Sequence, residues 1–394
     1  MNSWSWTRRV AGPRDERRAA AELLTRCVRG EAGDDPSTLA RLSSIRSEML
    51  LSLADYHGVS GMAYEQLRSI DGVDQDLIVE LRRAYGRAME GHLRVLWELT
   101  RLQPVLDATR VPWAVIKGPV TVERLYQSPG RRSYQDLDLL VEPSGFADVL
   151  AALQVYGSSV LDRNWTVLRR DLLGEVHLRL PGGTPLDLHW NLINMNRGRM
   201  WIDSREVLAR SVTADIGALT VRVLDREDML LHHAVHAALS GGDKLLWLKD
   251  VERVATVLRP DWQTVVDRAR AWGVAAPAGL ILARTRDVLD APIPGAVPRA
   301  LLGRPAMRLV RVVERISPWE LSVGRLTAAS HVVSRSISHG PGGAAMWFLR
   351  RSLKRLDPRE PDASSAFTAR GDEGDRQAYI EAVVGSGAHR GAVS

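Results

Sequence analysis

The sequence predicts an α/β or α+β core between residues 111 and 224, set between helical regions on both sides. Two observations carry that expectation. Apolar residues recur at helical spacing from Asp15 to about Arg110 and again beyond residue 224. Between them lie short β-branched and aromatic runs, alternating with polar residues and closed by glycine, proline or asparagine.

The helical region 15–110 rests on "AAAELLTRCVRG" and the long "DLIVELRRAYGRAMEGHLRVLWELTRLQPVLDA", neither of which shows strand-like alternation. At Val111 the texture changes. "VPWAVIKG" reads as a strand closed by glycine, "DLDLLVE" as a second strand, and "GFADVLAALQVYG" as a helix. "EVHLRL" and "LDLHWN", joined by the turn-rich "PGGTP", read as a hairpin, and "LTVRVL" ends the core. Helical spacing returns in "REDMLLHHAVHAAL", "KLLWLKDVERVATVL" and "WQTVVDRARAWG" and continues in proline-broken helices to about Leu356. The expected organisation is a flexible N-terminus (1–14), a helical region (15–110), a catalytic core (111–224), a helical C-terminal domain (225–356) and a largely disordered tail (357–394) with a short helix near "QAYIEAVV". The tryptophans fall at core positions, and the arginine-rich "MWFLRRSLKRL" reads as an amphipathic surface helix.

Composition narrows the function classes. With 394 residues, 45% hydrophobic and 25% charged, the chain has ordinary globular composition. Its net charge of +6 rests on arginine, since Lys117, Lys244, Lys249 and Lys354 are the only lysines among 53 basic residues. Because 47 acidic residues are interspersed with them, nucleic-acid binding is permitted rather than indicated. A single cysteine, Cys27, excludes an internal disulfide framework and a cysteine zinc site. The first residues lack the apolar core of a signal peptide and no long apolar run follows, so the expectation is a cytoplasmic protein without membrane insertion.

The chemistry concentrates in the core. On a strand Asp136 and Asp138 share one face with Glu142, while Leu137, Leu139 and Val141 take the other. Adjacent ionised carboxylates repel unless a cation neutralises them, and hard oxygen ligands favour Mg2+ or Mn2+. The hairpin repeats the pattern: Glu175, His177 and Arg179 alternate with apolar residues, as do Asp187, His189 and Asn191. If it lies beside the Asp136–Asp138 strand, Asp187 supplies a third carboxylate and the site can hold two metals suited to phosphoryl transfer. Lys117 and Gly118, at a turn before a helix that begins at Pro119, and Arg131 and Arg132, in the loop before Asp136, are candidate phosphate ligands.

These residues resemble the nucleotidyltransferase superfamily of the DNA polymerase β type, and more closely its uncharacterised bacterial nucleotidyltransferases. The match lies in "WAVIKGPVTVERLYQSPGRRSYQDLDLLVEP", "PLDLHWNL" and "REDMLLHHAVHAAL…LLWLKDVERVA", over roughly residues 95–260. Where most of that superfamily carries Gly-Ser, this sequence reads Lys117-Gly118-Pro119. The resemblance implies an α+β fold with a mixed sheet flanked by helices, and divalent metal on Asp136, Asp138 and Asp187. It also implies transfer of a nucleoside monophosphate from an NTP with release of pyrophosphate. The acceptor stays open among a small molecule, a peptide, a protein and an RNA. His189 shares the face of Asp187, where it can orient that carboxylate, touch substrate or serve as a structural histidine. His232 and His236, four apart on a helix, read as a packed pair, with substrate contact by His236 the alternative; Asp250 reaches the cleft or forms a helix salt bridge. Two rival readings stand beside this one: a non-catalytic nucleotide-binding or regulatory protein on the same fold, and a glycosyltransferase with an Asp-x-Asp motif.

Overall fold

The computed structural model describes residues 14–33, 37–193, 200–316, 367 and 371–386. The first thirteen residues, the amphipathic helix expected at 346–356 and most of the tail lie outside them. The fold is α+β, a seven-stranded mixed sheet with flanking helices. The chain divides into two compact units, one made of Met1–Glu90, Leu125–Ser133 and Leu230–Met346, the other of Gly91–Arg124, Tyr134–Met229 and Trp347–Ser394. They interleave along the sequence rather than follow one another, because the helix Gln75–Ala108 starts in the first and ends in the second.

The second unit carries the sheet, in the order β3-β4-β5-β2-β1-β7-β6. Its strands are β1 (Trp113–Val115), β2 (Leu137–Val141), β3 (Ser159–Val160), β4 (Glu175–Arg179), β5 (Pro185–His189), β6 (Val212–Ile216) and β7 (Leu219–Val223). β2 is central and buried throughout, as its near-continuous apolar sequence requires. It runs antiparallel to β1 and parallel to β5, and β4 and β5 form the expected hairpin. In its turn Gly183 takes φ +94° and donates its N–H to the Leu180 carbonyl at 2.9 Å. β6 is an addition: "VTADI" pairs with β7 across Gly217, which takes φ +57°. Its sequence signal is weak, since four of its five residues are exposed or half-buried.

The described part of the tail is Phe367 and a helix, Glu373–Ser386, docked on this unit. Asp372 caps it by accepting from the Asp375 N–H at 2.9 Å, and Tyr379 and Val383, four apart, share one buried face. The Tyr379 hydroxyl donates to the Leu173 carbonyl at 2.6 Å and accepts from Trp190 Nε1 at 3.0 Å. Its ring meets Phe146 edge-on. Tyr379→Ala is expected to cost about 3–5 kcal/mol in denaturant unfolding, the usual loss for a large aromatic removed from a core. A loss below 1 kcal/mol would show that the helix does not hold the sheet unit together.

The first unit is helical. Arg14–Arg29, Ser47–His57 and Ser60–Leu67 pack through the fully buried Leu23, Leu24, Leu50, Leu53 and Leu67, and Ala275–Leu289 packs on Leu245–Arg253. The turn Pro129–Arg131 presses onto Gly61, where a Cβ would stand 1.8 Å from the Gly130 carbonyl oxygen. His57 is wholly buried, its Nδ1 accepting from the Leu245 N–H at 3.4 Å. Burial and the Lys244 charge push its imidazole down to about 3, against an opposing backbone hydrogen bond at Asp243. The unfolded chain therefore binds the extra proton first, and stability is lost as pH falls below about 6.5, at roughly 1.4 kcal/mol per unit. Between pH 6.5 and 5 the unfolding free energy is expected to drop by about 2 kcal/mol more in the unaltered chain than in His57→Gln. Equal acid sensitivity of the two proteins would refute this assignment.

Candidate functional site

Strand register builds the site. Asp138 on β2 pairs with Asp187 on β5, and Asp187 pairs in turn with His177 on β4. In the next row on the same face Glu175 lies opposite His189 and His189 opposite Leu140. Alternation thus leaves the apolar faces to the core and gathers Asp138, Asp187, His177, His189 and Glu175 on one side of three neighbouring strands. The ladder to β5 starts at Leu137, so Asp136 lies just beyond its end and is half-buried.

The polar groups are close. Lys117 Nζ stands 2.8 Å from Asp138 Oδ1, and His189 Nε2 is 3.1 Å from the same oxygen. His189 Nδ1 is 3.1 Å from Glu175 Oε2. His177 Nε2 is 3.4 Å from Glu175 Oε1 and 4.0 Å from Asp187 Oδ1, while its Nδ1 meets both oxygens of the buried Asp162 at 3.1 Å. The Phe367 ring lies 5.3 Å from that of His177. Two overlapping groups have ligand atoms within 4.8 Å of one another: Asp138, Asp187 and His189, and Glu175, His177 and Asp187.

Lys117 reaches Asp138 because the chain turns sharply after β1. Gly118 takes φ +58°, and a Cβ there would meet the Asp136 carbonyl oxygen and the Tyr134 ring at 3.1 Å. Behind the turn, Tyr134 Oη lies 2.9 Å from His92 Nδ1, and His92 Nε2 lies 2.7 Å from Glu123 Oε1. The helix that follows, Pro119–Leu125, has only seven residues, so its dipole adds little and Lys117 carries the positive charge of this turn.

Neutralisation is uneven across the row. Burial works against the Asp138 carboxylate, but the Lys117 charge and the His189 hydrogen bond outweigh it and hold the carboxyl well below its usual range. Burial likewise opposes the Lys117 ammonium, yet Asp138 and Asp136 keep it more basic than usual. Asp187 lacks such a partner. Burial and the Asp138 charge push it up to about 7, with His177 offsetting only part of the rise. Burial would lower His177, but its hydrogen bonds to Asp162 and Glu175 and the charges of Asp162 and Asp187 push it up to about 11. His189 rises for the same reason, between Glu175 and Asp138.

Not every expected site residue joins this row. Asp136 influences Lys117 and Asp187 through its charge but belongs to neither donor group. Arg131, Arg132, His236 and Asp250 belong to the helical unit. There Arg132 makes two 2.8 Å hydrogen bonds to Asp250, whose Oδ1 also accepts from the Tyr126 hydroxyl at 2.8 Å. All three residues are buried. This ion pair occupies the Asp250 carboxylate and two of the Arg132 nitrogens, so for Asp250 the salt-bridge alternative fits the geometry. Arg131 pairs with Glu65 and donates to Gln127 Oε1 at 3.1 Å. His236 meets Trp247 edge-on, with ring centroids 5.9 Å apart, which fits the packed reading of that helix face. Glu175, His177 and Asp162 were not among the expected site residues. The alternation of "EVHLRL" already puts the first two on one polar face of their strand, whereas nothing local marks Asp162.

A family model described as "Uncharacterised nucleotidyltransferase" matches residues 43–290, which include all seven strands and every residue of the row. The chain belongs to that family. No curated protein and no solved structure matches it. Membership makes the protein a transferase of nucleotidyl groups at the family level, and among the described residues no helix is long and apolar enough to cross a membrane.

Proposed function

We propose that this family member transfers a nucleoside monophosphate from an NTP to an acceptor hydroxyl, in a divalent-metal-dependent reaction of the DNA polymerase β type. The observation that carries the reading is the side-by-side placement of Asp138 and Asp187 on parallel strands, with Asp187 left short of positive charge. Two carboxylates in register, one buried and one half-buried, suit a hard divalent cation such as Mg2+ or Mn2+. Asp138 and Asp187 would hold it, with His189 hydrogen-bonded to Asp138 beside them and Asp136 adding charge from the end of the ladder. When bound, the metal neutralises phosphate charge and stabilises the oxygens of an in-line displacement.

The protein's own residues do the rest. Asp187 takes the proton of the acceptor hydroxyl as its oxygen bonds to the α-phosphorus. The bond from that phosphorus to the bridging oxygen breaks, and pyrophosphate leaves. Lys117 and the Gly118 turn stand beside Asp138, where the ammonium can shift from the carboxylate to a phosphate oxygen. A sheet closed on one face by leucine and valine keeps the acidic row fixed, so the rate gain comes from positioning and charge rather than covalent chemistry.

The test is incubation of the full chain with α-labelled and γ-labelled NTPs, divalent metal and an extract of source cells. The α-label is expected to enter a product and the γ-label to leave as pyrophosphate, both only while Asp138 is intact. Transfer of the γ-label to the product would overturn the reading. One observation favours a second reading. The Lys117 ammonium already occupies a cation's place against Asp138, as it would in a non-catalytic nucleotide-binding protein whose counter-ion is built in. Family membership speaks against the glycosyltransferase.

A further inference from the structure

We propose that Glu175, His177 and Asp187 bind a second divalent ion, a transition metal that accepts an imidazole nitrogen, on the same sheet face. The inference rests on the reading of Asp138 and Asp187 as metal-holding residues, and it replaces an all-carboxylate shell for the second ion with one that contains nitrogen.

Register supplies the first argument. Asp187 is the middle residue of the row His177, Asp187, Asp138, so a carboxylate with two oxygens stands between one donor group on β2 and another on β4. Distance supplies the next. A metal about 2.0–2.2 Å from each of its nitrogen and oxygen donors keeps neighbouring donors roughly 3–4 Å apart. His177 Nε2 stands 3.4 Å from Glu175 Oε1 and 4.0 Å from Asp187 Oδ1.

The orientation of the imidazole is the independent observation. Asp162, whose side chain is 1% exposed, takes the backbone N–H of His177 at 2.7 Å and approaches its Nδ1 with both oxygens at 3.1 Å. Such a carboxylate fixes a proton on Nδ1 and turns Nε2 toward Glu175 and Asp187, where a metal would displace the Nε2 proton that these carboxylates favour in the metal-free chain, the arrangement by which a buried carboxylate orients a metal-binding histidine. Two carboxylates facing an imidazole nitrogen leave a place that only a proton or a cation fills. Imidazole donors suit Zn2+ and related transition ions, whereas Mg2+ prefers oxygen and retains water. Hence the second position selects against Mg2+.

Mn2+ is the probe, added to the metal-stripped full chain and followed by electron paramagnetic resonance. The unaltered chain is expected to bind two ions. His177→Ala leaves one, Asp138→Asn leaves the other, and Asp162→Asn weakens the second about 10–100-fold. Pulsed measurements on Asp138→Asn are expected to show nitrogen coupling from the remaining ion, lost in Asp138→Asn/His177→Ala. Added imidazole should restore the second ion to His177→Ala, and His177→Gln, which keeps side-chain volume, should lose it as His177→Ala does. If the chain binds one ion that Asp138→Asn removes and His177→Ala leaves unchanged in affinity, this inference is overturned while the proposed function stands. Absence of any bound Mn2+ overturns both.

Discussion

Lys117→Met is expected to lower the unfolding free energy by about 3–5 kcal/mol in chelator, the cost of removing one partner from a buried ion pair. The pair is short, at 2.8 Å, and well enclosed, with the lysine side chain 13% exposed and the aspartate 2%. Once the ammonium is gone, Asp138 faces Asp187 across one strand spacing with only an imidazole to offset it. A divalent ion is then expected to recover much of the loss. The unaltered chain decides between the two functional readings. As an enzyme it must admit the metal beside Lys117, so saturating Mg2+ or Mn2+ stabilises it as well, by about 2.7 kcal/mol at a hundred times the dissociation constant. If metal rescues Lys117→Met yet leaves the unaltered chain's thermal midpoint unmoved, Lys117 is a permanent counter-ion and the catalytic reading falls.

Much of this site was legible because strands have a period of two. Once "DLDLLVE" and "EVHLRLPGGTPLDLHWN" are read as strands, the faces of Asp138, Asp187, His189, Glu175 and His177 follow without further information. Alternation is silent about which strands are neighbours and about their offset. The parallel pairing of β2 with β5, which sets Asp138 against Asp187, is a long-range choice made across residues 142–184. For the same reason the partner of the residue that comes up against β2 from a turn is not legible. The place of Lys117 after a strand suggests a phosphate ligand, but its contact with Asp138 depends on the backbone turn at Gly118. Arg132 and Asp250 illustrate a different limit. They are 118 residues apart, and their ion pair shows only when the helical unit is assembled.

Asp138→Asn and Asp187→Asn are expected to lower nucleotidyl transfer alike, each by roughly 10²–10³-fold, since each removes transition-state charge stabilisation of several kcal/mol. Their effects on folding in chelator are expected to have opposite signs. Asp138 accepts from the Lys117 ammonium and from His189, so its amide leaves a buried cation uncompensated and destabilises the chain by about 3 kcal/mol or more. Asp187 has its imidazole contact only at 4.0 Å and sits in register with another carboxylate, so Asn there relieves repulsion and adds about 0.5–2 kcal/mol. A carboxylate kept where it weakens the metal-free fold is what a metal site requires, because the bound ion would supply the missing positive charge. Denaturant unfolding and α-label transfer, measured on the same two proteins, check both halves. Destabilisation by Asp187→Asn in the metal-free chain would make that residue a structural partner instead, and two active Asn variants would remove the row from the reaction altogether.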